Sequence, residues 1–236
     1  MKEVGKIWMN GKLVPFKNAR VHVLTHALHY STSIFEGIRC YDTPNGSAIF
    51  RLPEHIDRFF NSAKLYGMKI PYSKKDLTNI IYDTIRANNM NSGVHIRVII
   101  SRGEKITPYQ HPSANVGPIS LVIIPEYKIA NEEINVAGIK LASVSILRGS
   151  SSNQDPKINS LSKFNCIAAC LEAIDKNVDE GLMLDVDGYV STCNSTNFFI
   201  VKNNQVITSK GEYCLNGVTR MNIIRLCMEQ NIDIVE

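Results

Sequence analysis

His26-Ala27-Leu28-His29-Tyr30-Ser31-Thr32-Ser33-Ile34-Phe35-Glu36-Gly37-Ile38-Arg39-Cys40-Tyr41-Asp42 decides the reading of this chain. Hydroxyls, aromatic rings, a glycine and the pair Glu36/Arg39 are interleaved with β-branched residues. The stretch is too polar for plain core and too apolar for a solvated loop, which is the mixture expected where a small molecule is enclosed. A buried strand and turn whose ionic groups are satisfied internally accounts for the same residues, because buried ion pairs are often structural.

Periodicity supplies the flanking elements. Ile7-Trp8-Met9 and Lys12-Leu13-Val14 surround Asn10-Gly11, the pair that a two-residue hairpin turn demands. Strands are expected near 32–41 and 47–51. Pro53 opens a helical pattern carried by Ile56, Phe59, Phe60, Ala63 and Tyr66, and Ser73 caps a second carried by Leu77, Ile80, Ile81 and Ile85. Val94–Ser101 and Ile119–Ile124 read as buried strands, joined by a Gly/Pro-containing loop at 102–118 long enough to suggest a role of its own. Glu126–Glu133 reads as a link. Beyond it lie expected strands near 140–147, 181–185, 189–192, 197–202 and 205–208, with helices at roughly 160–176 and 219–230. The expected architecture is α+β with two lobes: a small α/β domain at 1–125, a linker at 126–134 and a larger domain at 135–236. The chain stops at Asn231–Glu236 as it enters an expected strand, which reads as an early end or a fragment.

Composition sets bounds on function. The 236 residues carry 44% hydrophobic and 20% charged residues, enough for a sizeable core. A formal net charge of only +4, with basic residues scattered, argues against nucleic acid as a partner. No apolar run reaches membrane-spanning length and the first residues lack a secretion signal, so a cytoplasmic location with no membrane partner is expected. The six cysteines include no C-x-x-C pair and read as reduced thiols, although Cys166 and Cys170 share a helical face. His22, His26 and His29 lack convergent carboxylates or cysteines, so no metal is expected.

One segment has the chemistry of an anion seat. Asn216-Gly217-Val218-Thr219-Arg220 precedes a helix with Ile223, Ile224 and Leu226, so free backbone N–H groups and the Thr219 hydroxyl converge at a positive helix end. Arg97, in a buried-looking strand, needs a carboxylate from substrate or from the protein.

Ile7–Gly11, residues 26–42, and Phe50-Arg51 through Glu54-His55-Ile56-Asp57-Arg58 closely resemble the class IV (fold type IV) aminotransferases. These pyridoxal 5'-phosphate enzymes include the branched-chain amino-acid aminotransferases, D-amino-acid transaminase and aminodeoxychorismate lyase. The branched-chain members are nearest, and the resemblance runs along essentially the whole chain. It implies a small α/β lobe, a pseudo-barrel lobe, the cofactor between them, and a homodimer in which one small lobe closes over the partner's site. It also implies amino transfer between an aliphatic or branched-chain amino acid and a 2-oxo acid such as 2-oxoglutarate.

By that resemblance Arg58, Gly217, Val218 and Thr219 hold the phosphate, while Tyr30, Phe35, Arg39 and Arg97 line the substrate side. A solvated arginine on an amphipathic helix is the plainer reading of Arg58. Two positions depart from the family. Asn159 occupies the place of the Schiff-base lysine, and an amide cannot form an imine. Lys157 lies two residues earlier; Lys163 lies four residues later, about 6 Å along a helix axis on the same face, and is the preferred catalytic substitute. A surface lysine on a helix whose core face is Leu161, Phe164, Ile167 and Ala168 is the competing reading. Thr192 stands where relatives carry the glutamate facing the ring nitrogen, with Asn197 near the ring edge, so carbanion chemistry is expected to be slower. His95 and Cys166 stand where relatives often have tyrosine, which leaves side-chain preference open. The alternatives are a cofactor-binding pseudoenzyme or non-catalytic partner subunit, and a lyase of the aminodeoxychorismate type.

Overall fold

A computed structural model describes residues 5–129 and 131–236. The chain divides into two compact units, Met1–Ala130 with Asn159–Ser162, and Asn131–Ile158 with Lys163–Glu236.

In the first unit β1 (Lys6–Met9) and β2 (Lys12–Pro15) form the expected hairpin. Asn10 and Gly11 take φ of 50° and 95°, the positive angles that the tight turn requires. A short helix α1 (His26–Tyr30) ends on Ser31 in the left-handed region and leads into β3 (Ser33–Tyr41). Next come β4 (Ala48–Ile49), α2 (Leu52–Leu65), α3 (Lys74–Arg86), β5 (Val94–Ser101) and β6 (Ser120–Tyr127). Ser73 caps α3 as its sequence demands, exchanging hydrogen bonds with Asp76. The strands pair antiparallel in the order β2-β1-β6-β5-β3-β4.

Alternation divides this sheet into two chemically different faces. Ile34, Ile38 and Cys40 of β3 lie across from Ile100, Ile96 and Val94 of β5, all buried, with Leu121 and Ile123 of β6 beside them. Ile56, Phe59 and Ala63 of α2 and Leu77, Ile81 and Ile85 of α3 complete that core; α2 packs on β3, and α3 on β1 and β6.

The second unit contains α4 (Glu132–Ala137), β7 (Leu141–Ser143), α5 (Phe164–Asp175), β8 (Glu180–Leu184), β9 (Val190–Cys193), β10 (Phe199–Lys202), β11 (Gln205–Thr208), α6 (Val218–Glu229) and β12 (Ile234–Val235). Its strands form two three-stranded sheets, β7-β8-β9 and β10-β11-β12. The stretch 126–134 read as a link carries the last residues of β6 and the start of α4.

Two expectations about α5 need correction. The helix begins at Phe164 rather than near 160, because Asn159–Ser162 is extended against β3: the Phe35 N–H donates to the Asn159 carbonyl at 2.9 Å and the Leu161 N–H to that of Ser33 at 2.9 Å. The buried side of α5 is also not the predicted one. Cys166, Ala169 and Ala173 are inside, whereas Phe164, Ile167, Leu171 and Ile174 are 57–83% exposed. Small residues face β8 because the two backbones approach closely there. A Cβ on Gly181 would stand 2.7 Å from Val144 and 3.0 Å from the Ala169 carbonyl, so only glycine fits.

Candidate active site

The outer face of the first sheet gathers three of the predicted substrate residues. Phe35, Gly37 and Arg39 alternate along β3 opposite Ile99, Arg97 and His95 of β5, and Glu126 of β6 lies across from His95. The Arg97 guanidinium sits 4.6 Å from the Phe35 ring centroid, a cation–π contact. Arg39 donates to the Lys128 carbonyl. His95 Nδ1 is 2.8 Å from Glu126 Oε1, so the carboxylate fixes the ring. Gly37 makes room for it: a Cβ there would stand 3.1 Å from His95 Nε2. Tyr30 is placed differently. Its ring packs against His26 at 5.0 Å and lies over the Lys105 ammonium at 4.4 Å.

Burial pushes the His95 imidazole below its usual pKa, opposed by the hydrogen bond to Glu126 and reinforced by Arg97 and Arg39. The folded protein therefore binds fewer protons here than the unfolded chain as pH falls below the unfolded value of 6.5. Stability linked to His95 is present above that value and is lost as pH falls through the lowered one. Urea midpoints measured at about pH 7.5 and about 5.5 should drop further for the native chain than for His95→Gln. Equal drops would remove His95 as the cause.

Arg58 lies on the opposite, helix-covered face. It forks onto Glu36, with Nε 2.7 Å from Oε1 and Nη2 2.6 Å from Oε2, and His55 Nδ1 stands 2.7 Å from the same carboxylate. Glu36 is 1% exposed and the Arg58 side chain 15%, so the solvated-arginine reading fails. The partner of Glu36 is Arg58 and not its strand neighbour Arg39. His55 and Arg58, three apart on α2, were the available signal.

Asn159 is buried, its carbonyl accepts from the Phe35 N–H at 2.9 Å, and its amide side chain cannot form an imine. Lys157 is exposed, and Lys163 is the half-buried N-cap of α5. Because 159–162 is not helical, Asn159 and Lys163 do not share a helix face, and the spacing argument that linked them does not hold.

In the second unit, Thr192 on β9 is buried and donates its hydroxyl to the Thr196 carbonyl. Asn197 donates through Nδ2 to the Leu215 carbonyl at 3.0 Å. Its Oδ1 occupies the space beside Gly217, where a Cβ would stand only 2.3 Å away. Gly217 is the N-cap of α6 and offers no side-chain hydrogen bond to the helix, so the N–H groups of the first turn, including buried Val218 and exposed Thr219, face outward. Arg220, missed from sequence, braces this turn by donating to Asn216 Oδ1 at 3.0 Å and the Ser209 carbonyl at 2.7 Å, and by pairing with Glu236. A cavity of about 490 Å³ elsewhere in this unit is lined by Asp185, Ser191, Tyr213 and Glu236 among others, but by none of Thr192, Asn197 or Thr219. Among the described residues no cluster of His, Cys, Asp or Glu could hold a metal.

The mixed α+β fold, with its six-stranded antiparallel sheet and two three-stranded sheets, matches that of fold-type-IV aminotransferases. The family model "Amino-transferase class IV" matches residues 33–236, and the chain belongs to that family. It is 37% identical to the branched-chain-amino-acid aminotransferase of Pseudomonas aeruginosa over 98% of this chain and 75% of that protein. The enzyme of the same name from Escherichia coli is 35% identical over 100% of this chain and 76% of its own length. A crystal structure of the Escherichia coli branched-chain amino acid aminotransferase superposes with a TM-score of 0.91 at 33% identity, covering 99% of this chain and 77% of that one. A structure of the T.th. branched-chain amino acid aminotransferase with pyridoxamine 5'-phosphate gives 0.91 at 34% identity, covering 98% and 76%.

Proposed function

We propose that the chain is a pyridoxal-phosphate-dependent aminotransferase that moves an amino group between a branched-chain or other aliphatic amino acid and a 2-oxo acid such as 2-oxoglutarate. The observation that carries this reading is the uncapped first turn of α6, seated on Asn197 and Gly217, in a class IV aminotransferase chain. That turn fits a phosphate: no side chain caps the helix, its backbone N–H groups point out, and the helix dipole favours negative charge. Gly217, Val218 and Thr219 would hold the phosphate there, with Arg58 contributing its charge. Bound pyridoxal phosphate supplies an aldehyde that takes up the amino group and a ring that delocalises negative charge.

The remaining roles belong to the protein's own residues. Arg97 and Arg39 bind and orient carboxylate groups beside Phe35, with Tyr30 on the substrate side. Lys163, the N-cap of α5 and four residues beyond Asn159 in the chain, is the lysine that would supply the amine and move the α-proton. The Thr192 hydroxyl, whose proton goes to the Thr196 carbonyl, would have its lone pairs left to accept from the cofactor ring, with Asn197 as the second residue that would hold that ring. We also place the protein in the cytoplasm as a homodimer. The six free cysteines fit a reducing compartment, and among the described residues no helix is long and apolar enough to cross a membrane.

The test combines cofactor loading, borohydride reduction and peptide mapping with an assay of amino transfer from L-leucine to 2-oxoglutarate. Label is expected on Lys163, and Lys163→Ala should lower turnover by about 10²- to 10⁴-fold. An unchanged rate in that variant removes Lys163 from the scheme. Cofactor binding with no labelled lysine and no amino transfer would overturn this reading and leave a chain that holds the cofactor without turnover.

A further inference from the structure

The cavity of about 490 Å³ in the second unit has the volume of a small-molecule pocket, and none of the residues assigned to cofactor or substrate lines it. Its walls are strongly acidic. Four carboxylates, Asp185, Asp187, Glu212 and Glu236, share the lining with one basic side chain, the exposed Lys210. Glu236 is met by Arg220 Nη2 at 2.5 Å, whereas Asp185, Asp187 and Glu212 have no basic partner among the described residues. These three surround Tyr213. Its hydroxyl reaches Asp187 Oδ2 at 3.4 Å, and the charge of Asp187, then burial, then the charges of Asp185 and Glu212 hold the phenol above its usual pKa.

Asp185 adds an independent observation. It stands at the turn after β8, is 8% exposed, and its Oδ1 accepts from the Asp187 N–H at 3.0 Å and the Tyr189 N–H at 2.9 Å. Those two bonds fix the carboxylate. Its other oxygen, Oδ2, accepts from nothing among the described residues, although the residue lines the cavity. An enclosed carboxylate oxygen of this kind calls for a cation or a donor. Neighbouring hydroxyls do not supply one. Ser191 donates to the Tyr213 carbonyl at 3.1 Å, Thr208 to the Phe198 carbonyl at 2.7 Å, and Ser209 to the Ser191 carbonyl, while the Tyr213 proton points to Asp187. With those protons committed, the hydroxyls keep only lone pairs, and the lining is a surface of acceptors.

We propose that this cavity binds a linear aliphatic diammonium ion, with one ammonium against Asp185 Oδ2 and the other held by Asp187 and Glu212. The acceptor lining selects a donor-rich cation, since each ammonium carries three N–H groups and accepts nothing. The spread of the carboxylates selects its form. Among the described residues no group of them converges on a point where a metal ion could sit, so two charges separated along one molecule match the wall better than one concentrated charge. Val190 and Tyr189, which line the cavity and are exposed, offer the alkyl link an apolar contact. The site uses no residue of the aminotransferase reading, and either can fail without the other.

The experiment titrates the full chain calorimetrically at constant ionic strength with putrescine, butylamine or magnesium chloride. Putrescine should bind saturably, with butylamine weaker by about tenfold or more, the loss of one charge-assisted contact, and magnesium failing to displace putrescine. Asp185→Asn keeps Oδ1 for the turn and puts an N–H₂ group where Oδ2 stood, so it should weaken putrescine by about tenfold or more. Glu212→Gln, at an exposed position, should bring the affinity for putrescine down toward that for butylamine. Should Asp185→Asn fail to fold, the native comparison and Glu212→Gln still decide. No saturable binding of putrescine at tens of millimolar, equal affinities for putrescine and butylamine, displacement by equimolar magnesium, or variants that bind like the native chain would each overturn the site.

Discussion

Glu36→Gln is expected to lower the free energy of unfolding by about 3–5 kcal/mol. Glu36 is 1% exposed and receives hydrogen bonds from two Arg58 nitrogens while His55 Nδ1 stands against the same carboxylate. Glutamine keeps the volume but removes the charge, and it turns an N–H₂ group toward donors that need an acceptor. The guanidinium is then buried without its counter-charge, which is where most of the cost arises. Urea denaturation with an unchanged m-value measures the loss directly. A loss below about 0.5 kcal/mol would mean that water reaches the cluster and that Arg58 is not committed to it. The result also bears on the proposed phosphate contact: if Glu36→Gln weakens cofactor binding while the fold survives, the carboxylate is a positioning group that holds Arg58 in place.

Gly217→Ala should weaken pyridoxal phosphate binding at least about a hundredfold, the loss of one or two charge-assisted hydrogen bonds. The new methyl would stand 2.3 Å from Asn197 Oδ1. That atom cannot simply retreat, because its amide is tied to the Leu215 carbonyl at 3.0 Å in the loop leading to the same turn. Strain therefore passes to the backbone at 215–218 and turns the first N–H groups of α6 away from the phosphate. Fluorescence titration with the cofactor gives the affinity, and circular dichroism shows whether the helix persists. Unchanged affinity would exclude this helix end as the phosphate seat.

Local chemistry carried much of the fold in the sequence. Asn10-Gly11 marks the hairpin, Ser73 marks the start of α3, and period-two hydrophobicity marks β3 and β5; in each case the determining residues are neighbours in the chain. The cluster of Phe35, Arg39 and Arg97 was legible for the same reason, since alternation along two strands suffices to put them on one face. What could not be read depends on distant partners. Arg58 meets Glu36 through the packing of α2 on β3, and Asn159 is drawn into the first unit by a hydrogen bond from Phe35. The inward side of α5 was misjudged because hydrophobicity alone favours Phe164 and Ile167, whereas close approach at Gly181 selects Ala169 and Ala173.

On strand β3 a change of one side chain acts at one position, whereas a change of length acts on every position after it. Inserting or deleting one residue between Ile34 and Arg39 would rotate every downstream side chain by half a turn, sending Arg39 into the hydrophobic interior and Ile38 toward solvent. Natural drift in this gene should therefore spare the reading frame of that nonapeptide even where individual codons vary, and indels should accumulate at its borders, in the 42–47 turn.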